Sequence, residues 1–270
     1  MHKPSDFWFT FAPLFVINTY VFVTLTLFAF ISKKRPKTAE IESRHSSVIL
    51  NKWIREYWMW LTAPIYSFFI RFNVTPNAIS FLGTVMACLC AVAFAFSHMG
   101  LAGWLMVFGA SFDFFDGQIA RATNRVTKAG SFFDSSLDRL SEAATLTGLA
   151  YLYRNSFIFW IVMGIYVGSM LTSYTKAKGE TMGIDYAGGM MQRPERIAYL
   201  GAGAILTPML TYFVHPLLAR VFTQLTYADC ESYLYCIPLT FVCVFCNAAA
   251  FNRIVNIMKL LSKNDNKARN

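Results

Sequence analysis

Residues 75–97 read TPNAISFLGTVMACLCAVAFAFS, and this stretch decides the class of fold. No charged side chain occurs in it. A bilayer's hydrocarbon core, about 30 Å thick, takes about 20 apolar residues as an α-helix. The start of the helix is marked as well. Thr75 offers the hydroxyl of an N-cap, and Pro76 has the fixed φ that suits the first helical position. The spacing predicts a transmembrane helix over 76–97.

The same reading repeats outward. Downstream, further apolar segments run over 101–121, 136–153, 156–175, 196–214 and 233–256, with His98-Met99-Gly100 and Tyr153-Arg154-Asn155 as tight turns. Upstream, Phe7 to Ser32 is uncharged for 26 residues and stops at Lys33-Lys34-Arg35-Pro36-Lys37. That is longer than a secretory signal core and lacks a small-residue cleavage site, so it reads as a retained first transmembrane helix. Between the two, residues 46–71 mix Trp53, Tyr57, Trp58 and Trp60 with Lys52, Arg55, Glu56 and Arg71. Such an amphipathic, tryptophan-rich stretch suits a helix lying in the membrane interface. Nothing alternates as barrel strands do. The expected fold is an all-α polytopic membrane bundle.

Composition excludes the other classes. The 270 residues are 56% apolar and 14% charged, with mean hydropathy +0.42. Soluble domains carry about 25% charged residues, so neither a soluble enzyme nor a disordered tail fits. The net charge of +9 is explained by topology. If the spans alternate, all of the 24 Lys and Arg except Lys3, Arg154 and Arg220 lie on the Lys33–Lys37 side. The positive-inside rule makes that side cytoplasmic, and no nucleic-acid partner is implied. The six cysteines lie mostly in apolar runs, and Cys243-x-x-Cys246 has no second pair. They read as small buried hydrophobes rather than zinc ligands. The four histidines are scattered, and Gly164-x3-Gly168 reads as a helix-packing pair.

The acids are the exception to this apolar pattern. Of 15 acidic residues, Asp113, Asp116, Asp134 and Asp138 fall within 26 positions at a membrane boundary. Carboxylates there are costly and mark function by default. Asp113 and Asp116 are i,i+3, and Asp134 and Asp138 are i,i+4, so each pair shares one helix face. A short loop brings both pairs to one depth. Four converging carboxylates repel unless cations neutralise them, and hard divalent ions with oxygen ligands, Mg²⁺ or Mn²⁺, fit best. Two such ions about 3.5–4 Å apart are the usual clamp for phosphoryl displacement. The competing reading pairs these acids at the surface with Arg121 and Arg139.

The run Asp113-x2-Asp116-Gly117-x2-Ala120-Arg121-x8-Gly130-x3-Asp134-x3-Asp138 resembles, without gap or substitution, the signature of the CDP-alcohol phosphotransferases. Enzymes of that family move a phosphate-bearing group from a CDP-linked donor to an alcohol and release CMP. The resemblance covers about residues 46–260. It implies six transmembrane helices preceded by an interfacial helix, usually as a homodimer, and leaves the helix in residues 1–45 as an addition and 261–270 as a cytoplasmic tail. It also implies roles. Asp113, Asp116, Asp134 and Asp138 correspond to the ligands of two metal ions, with Asp138 also the proton acceptor. Gly117, Ala120, Arg121 and Thr127 correspond to residues around the CDP moiety, with the Asn77–Ser80 turn near the cytidine.

A second pattern bears on the alcohol. Ser173-Tyr174-Thr175-Lys176-Ala177-Lys178, then Gly188-Gly189, then Arg193-Pro194-Glu195-Arg196 is similar to bacterial phosphatidylinositol-phosphate synthases. The similarity implies that Lys176, Arg196 and Arg253 bind the phosphate of inositol phosphate, with Arg193 and Lys178 nearby. Arginine pairs well with phosphate, and a neutral alcohol would not need these charges. The expected reaction is therefore phosphatidyl transfer from CDP-diacylglycerol to inositol phosphate, in the cell membrane and on its cytoplasmic face. Free inositol, glycerol phosphate or serine as acceptor, and an ether-lipid donor, remain open alternatives. A cation transporter is a remote one.

Overall fold

The computed structural model of the protein describes residues 5–32, 52–184 and 191–269, and every regular element in them is an α-helix. In chain order these are α1 (Ser5–Ser32), α2 (Lys52–Arg71), α3 (Pro76–Ala95), α4 (Met99–Ala122), α5 (Lys128–Leu152), α6 (Ile158–Thr181), α7 (Arg193–Leu218) and α8 (Tyr227–Arg269). The Lys33–Lys37 stop and the Gly188-Gly189 pair lie outside the described residues.

The predicted start of α3 is observed. Thr75 is extended (φ −75°, ψ 144°) and its side chain accepts from the Ala78 amide, with Pro76 in the first turn. The predicted turn after it is shifted. Ser97 is left-handed (φ 64°), and Met99 and Gly100 already belong to α4. The larger difference is at α5, which begins at Lys128 instead of 136. The Thr127 hydroxyl caps it, accepting from the Gly130 amide at 2.9 Å. Two polar turns that hydropathy alone reads as loop are helical because that cap satisfies their amide. Asp134 and Asp138 therefore lie within a formed helix rather than at its mouth.

Five described helices are long and apolar enough to cross a membrane: α1, α3, α6, α7 and α8. Helices α4 and α5, read as spans from the sequence, do not meet that measure, because they carry Asp113, Asp116, Asp134, Asp138, Arg139 and Glu142. The chain is a multi-pass membrane protein. Helix α3 packs along both α4 and α5, α4 along α7, and α8 along α6 and α7, while α1 touches α2, α4 and α7. The core between them holds Phe94, Leu146, Leu149, Ile158, Val162, Ile165, Tyr235, Leu239 and Val242.

Lipid offers little hydrophobic drive between helices, so close approach of small residues does that work. A Cβ on Gly148 of α5 would lie 2.3 Å from the carbonyl oxygen of Ala91 on α3, an approach only glycine allows. Gly164 and Gly168 of α6 behave as expected of a packing pair. A Cβ at these positions would meet Cys243 Sγ at 2.6 Å and Asn247 at 3.0 Å on α8. All six cysteines are free.

Candidate active site

The site lies where the C-terminal turns of α4 meet the starts of α3, α5 and α7. A small apolar cluster fixes α4 there. Ile79 of α3 packs with Phe115 and Ile119 of α4, and Tyr66 and Phe69 of α2 close over them. Ile79 and Ile119 are fully buried, so the rotation of α4 against α3 is set. Ser80, next to Ile79, then faces Asp116, next to Phe115. Its Oγ donates to Asp116 Oδ2 at 2.5 Å, and both residues are buried. Ser80, expected near the cytidine, thus also orients an aspartate.

On α5, Asp134, Asp138 and Glu142 recur every fourth residue and form one stripe. Asp134 stands near enough for its charge to act on Asp113, Asp116 and Asp138. The two pairs thus stand close enough for their charges to act on one another.

Helix α7 supplies the cation among them. Its first turn reads Arg193-Pro194-Glu195-Arg196, and the i,i+3 spacing puts both arginines on one face. Arg193 Nη1 donates to Asp113 Oδ2 and lies 2.6 Å from Asp138 Oδ1. An arginine at a helix N-terminus opposes the macrodipole, and here two carboxylates outweigh that cost. The cation that the surface-pairing reading assigned to Arg121 or Arg139 is therefore Arg193. Arg139 instead approaches Glu142, at 3.6 Å.

Arg196 is 2% exposed, and its guanidinium is already engaged. Nε donates to Glu142 Oε1 at 2.9 Å, Nη2 lies 2.7 Å from the same oxygen as an ion pair, and Nη1 donates to the Met191 carbonyl at 2.8 Å. Met191 is left-handed (φ 57°), which turns its carbonyl back over α7. Arg196, expected at the acceptor phosphate, is held in this structure by Glu142 and Met191. Glu142 was missed by the sequence reading. The signal that could have found it is its position one turn beyond Asp138 on the same stripe.

The other expected residues divide. Arg121 is exposed, and a Cβ on Gly117 would come 3.4 Å from its Nη1, so the glycine leaves a flat face beside that guanidinium. Ala120 is half-buried between the two motif ends. Thr127 serves as the cap of α5, with Asn77 close by. A Cβ on Gly130 would lie 3.0 Å from Thr127 Oγ1 and 3.5 Å from Asn77 Oδ1. Lys176 and Lys178 are exposed, and Lys176 pairs with Glu180 at 3.8 Å. Arg253 is buried and donates to the Thr172 carbonyl at 2.7 Å.

Among the described residues, no three His, Cys, Asp or Glu side chains are gathered closely enough to hold a metal ion as they stand. The donor chemistry nonetheless suits Mg²⁺ or Mn²⁺, being carboxylate oxygen throughout. Asp113 and Asp138 already gather about one positive group, the Arg193 guanidinium.

The family model for CDP-alcohol phosphatidyltransferase matches residues 73–229. A phosphatidylinositol phosphate synthase of Mycobacteroides abscessus is 32% identical over 161 residues, which is 57% of this chain and 72% of that protein. An archaetidylinositol phosphate synthase of Pyrococcus horikoshii is 36% identical over 127 residues, 46% of this chain and 66% of that protein. The fold is shared with the phosphatidylinositol phosphate synthase of Mycobacterium tuberculosis. Its crystal structure with CDP-DAG bound has a TM-score of 0.58 at 23% identity, covering 73% of this chain and 92% of that one. Its complex with manganese and citrate has a TM-score of 0.60, covering 73% and 88%.

Proposed function

The chain belongs to the CDP-alcohol phosphatidyltransferase family, and on that premise we propose that it makes phosphatidylinositol phosphate from CDP-diacylglycerol and inositol phosphate, releasing CMP. The observation that carries this reading is the pairing of the aspartates of α4 and α5 with an arginine-bearing α7. Carboxylates alone suit the CDP donor, whereas an acceptor that is itself a phosphate calls for cations at the same place. Two relatives named for making inositol phosphate lipids support the choice of acceptor.

In this reading Asp113, Asp116, Asp134 and Asp138 would hold two divalent ions, which supply neutralising charge for the donor diphosphate when bound. The manganese complex of the M. tuberculosis protein supports that assignment. Ser80 fixes Asp116 in place. Arg121, exposed beside the bare Gly117 backbone, holds the diphosphate from the solvent side. Asp138 accepts the proton of the acceptor hydroxyl, in the role of general base. The freed oxygen attacks the phosphorus that carries the diacylglycerol, and the bond from that phosphorus to the CMP oxygen breaks. Arg193 and Arg196 face the acceptor phosphate, together with Arg253 of α8 and Lys176 of α6. The excess of basic residues on this side supports a cytoplasmic active site, and the resemblance implies a homodimer.

The test is CMP release from CDP-diacylglycerol by the purified protein, with and without inositol phosphate. Release that depends on inositol phosphate and on Mg²⁺ or Mn²⁺ is expected. Equal release with glycerol phosphate, serine or free inositol would replace the acceptor and leave the family intact.

A further inference from the structure

Glu142 has one oxygen hydrogen-bonded and one that is not. Oε1 accepts from Arg196 Nε and pairs with its Nη2, whereas Oε2 is buried and without a hydrogen-bond partner. Arg139 Nη1 pairs with Oε2 at 3.6 Å, beyond ordinary hydrogen-bond reach. A buried carboxylate oxygen left this way is costly. Arg193 shows the complementary feature, since its Nε is buried and donates to nothing. Both residues line one cavity of about 50 Å³, whose wall also includes Asp113, Ser141, Thr145 and Ser169. Glu142 and Arg193 thus stand side by side in the wall of one mostly apolar cavity that Asp113 also lines, each with a buried polar atom that has no hydrogen-bond partner.

The chemistry of the missing partner follows. A phosphate has only acceptors and would be repelled by Glu142. An ammonium has only donors and would leave Arg193 unserved. A hydroxyl does both, donating to Glu142 and accepting from Arg193. We propose that Glu142 is a specificity-determining residue, its Oε2 accepting a hydrogen bond from a second hydroxyl of the polyol acceptor, one that is not the attacking oxygen. This rests on the acceptor reading above and deepens it. The arginines hold the phosphate, and Glu142 reads the ring.

The experiment uses the full-length protein in lipid nanodiscs with CDP-diacylglycerol. Acceptor KM and kcat are measured for inositol phosphate and for each of its single-deoxy analogues, on the native protein and on Glu142→Gln. On the native protein one deoxy analogue should raise KM by about tenfold or more, the worth of one charge-assisted hydrogen bond. The same analogue should cost Glu142→Gln little beyond what the substitution has already cost. KM for CDP-diacylglycerol should not move. Glu142→Asp keeps the charge on a shorter arm and carries the same comparison should the glutamine variant not fold.

A water molecule could fill the cavity instead of a ring hydroxyl, and the analogue series separates the two. If every deoxy analogue costs the native and variant proteins the same factor, Glu142 only supports Arg196 and the proposal is overturned. If the native protein turns over another acceptor and not inositol phosphate, the acceptor reading and this one fall together.

Discussion

Replacing Arg193 by glutamine removes the cation shared by Asp113 and Asp138 while keeping a side chain of similar length. The three side chains are 17%, 29% and 22% exposed, so the cluster is mostly shielded from water. Taking one partner from a fully buried pair costs about 3–5 kcal/mol, whereas an exposed pair is worth about 0–1. With a fifth to a quarter of the surface still wet, an intermediate value of about 2–3 kcal/mol is appropriate. At about 2–4 °C per kcal/mol for a chain of this size, the melting midpoint should fall by roughly 4–12 °C. The assay is thermal unfolding of the purified protein in detergent with excess chelator, repeated with Mg²⁺ or Mn²⁺. A divalent ion can replace the lost charge, so added metal should raise the midpoint of Arg193→Gln more than that of the native protein. If the variant melts together with the native protein in chelator, the bridge carries no weight. If metal stabilises the two equally, the ion and the guanidinium do not share those carboxylates.

Asp113→Asn, Asp116→Asn, Asp134→Asn and Asp138→Asn should each reduce turnover by about a hundredfold or more, and chelation should abolish it reversibly; full turnover in chelator would remove the metal assignment. Ser80→Ala, which takes the 2.5 Å hydrogen bond from Asp116, should lower kcat severalfold to tenfold with little change in either KM; a KM change for the donor alone would show that Ser80 acts on the cytidine and not through Asp116. Gly148→Val places side-chain atoms where a Cβ already meets Ala91 O at 2.3 Å, so α3 and α5 must separate, and a loss of at least about 1–3 kcal/mol is expected in detergent unfolding. Cysteines introduced beside Lys128 and Lys263 should be labelled only from the cytoplasm and one beside Arg220 only from outside; reversed labelling at all three would invert the topology.

Much of this molecule is local, and what is local was legible. The start of α3 follows from Thr75 and Pro76, because a cap and a fixed φ act within one turn. The aspartate pairs share faces because helical spacing alone puts them there. Two glycines four apart on α6 announced a close helix contact, and Cys243 and Asn247 of α8 fill it. Hydropathy misjudged the start of α5, since Lys128 to Ser135 is polar enough to pass for a loop, and only the Thr127 cap shows that it is helix.

The sequence by itself determined that the chain is a membrane-embedded helical protein whose acids cluster at one boundary, and which family it resembles. These depend on composition and on spacings of three and four residues, and no tertiary contact is needed to express them. Which partner each charge takes was decided only by the tertiary structure. Asp116 meets Ser80, Asp113 and Asp138 meet Arg193, and Arg196 turns to Glu142, residues that lie 36, 80, 55 and 54 positions apart in the chain. Such pairings depend on how far α3, α4, α5 and α7 are rotated about their own axes where they meet. That rotation is set by the fit of Ile79 against Phe115 and Ile119 and of Gly148 against Ala91, packing between separate helices that no pattern within one of them encodes.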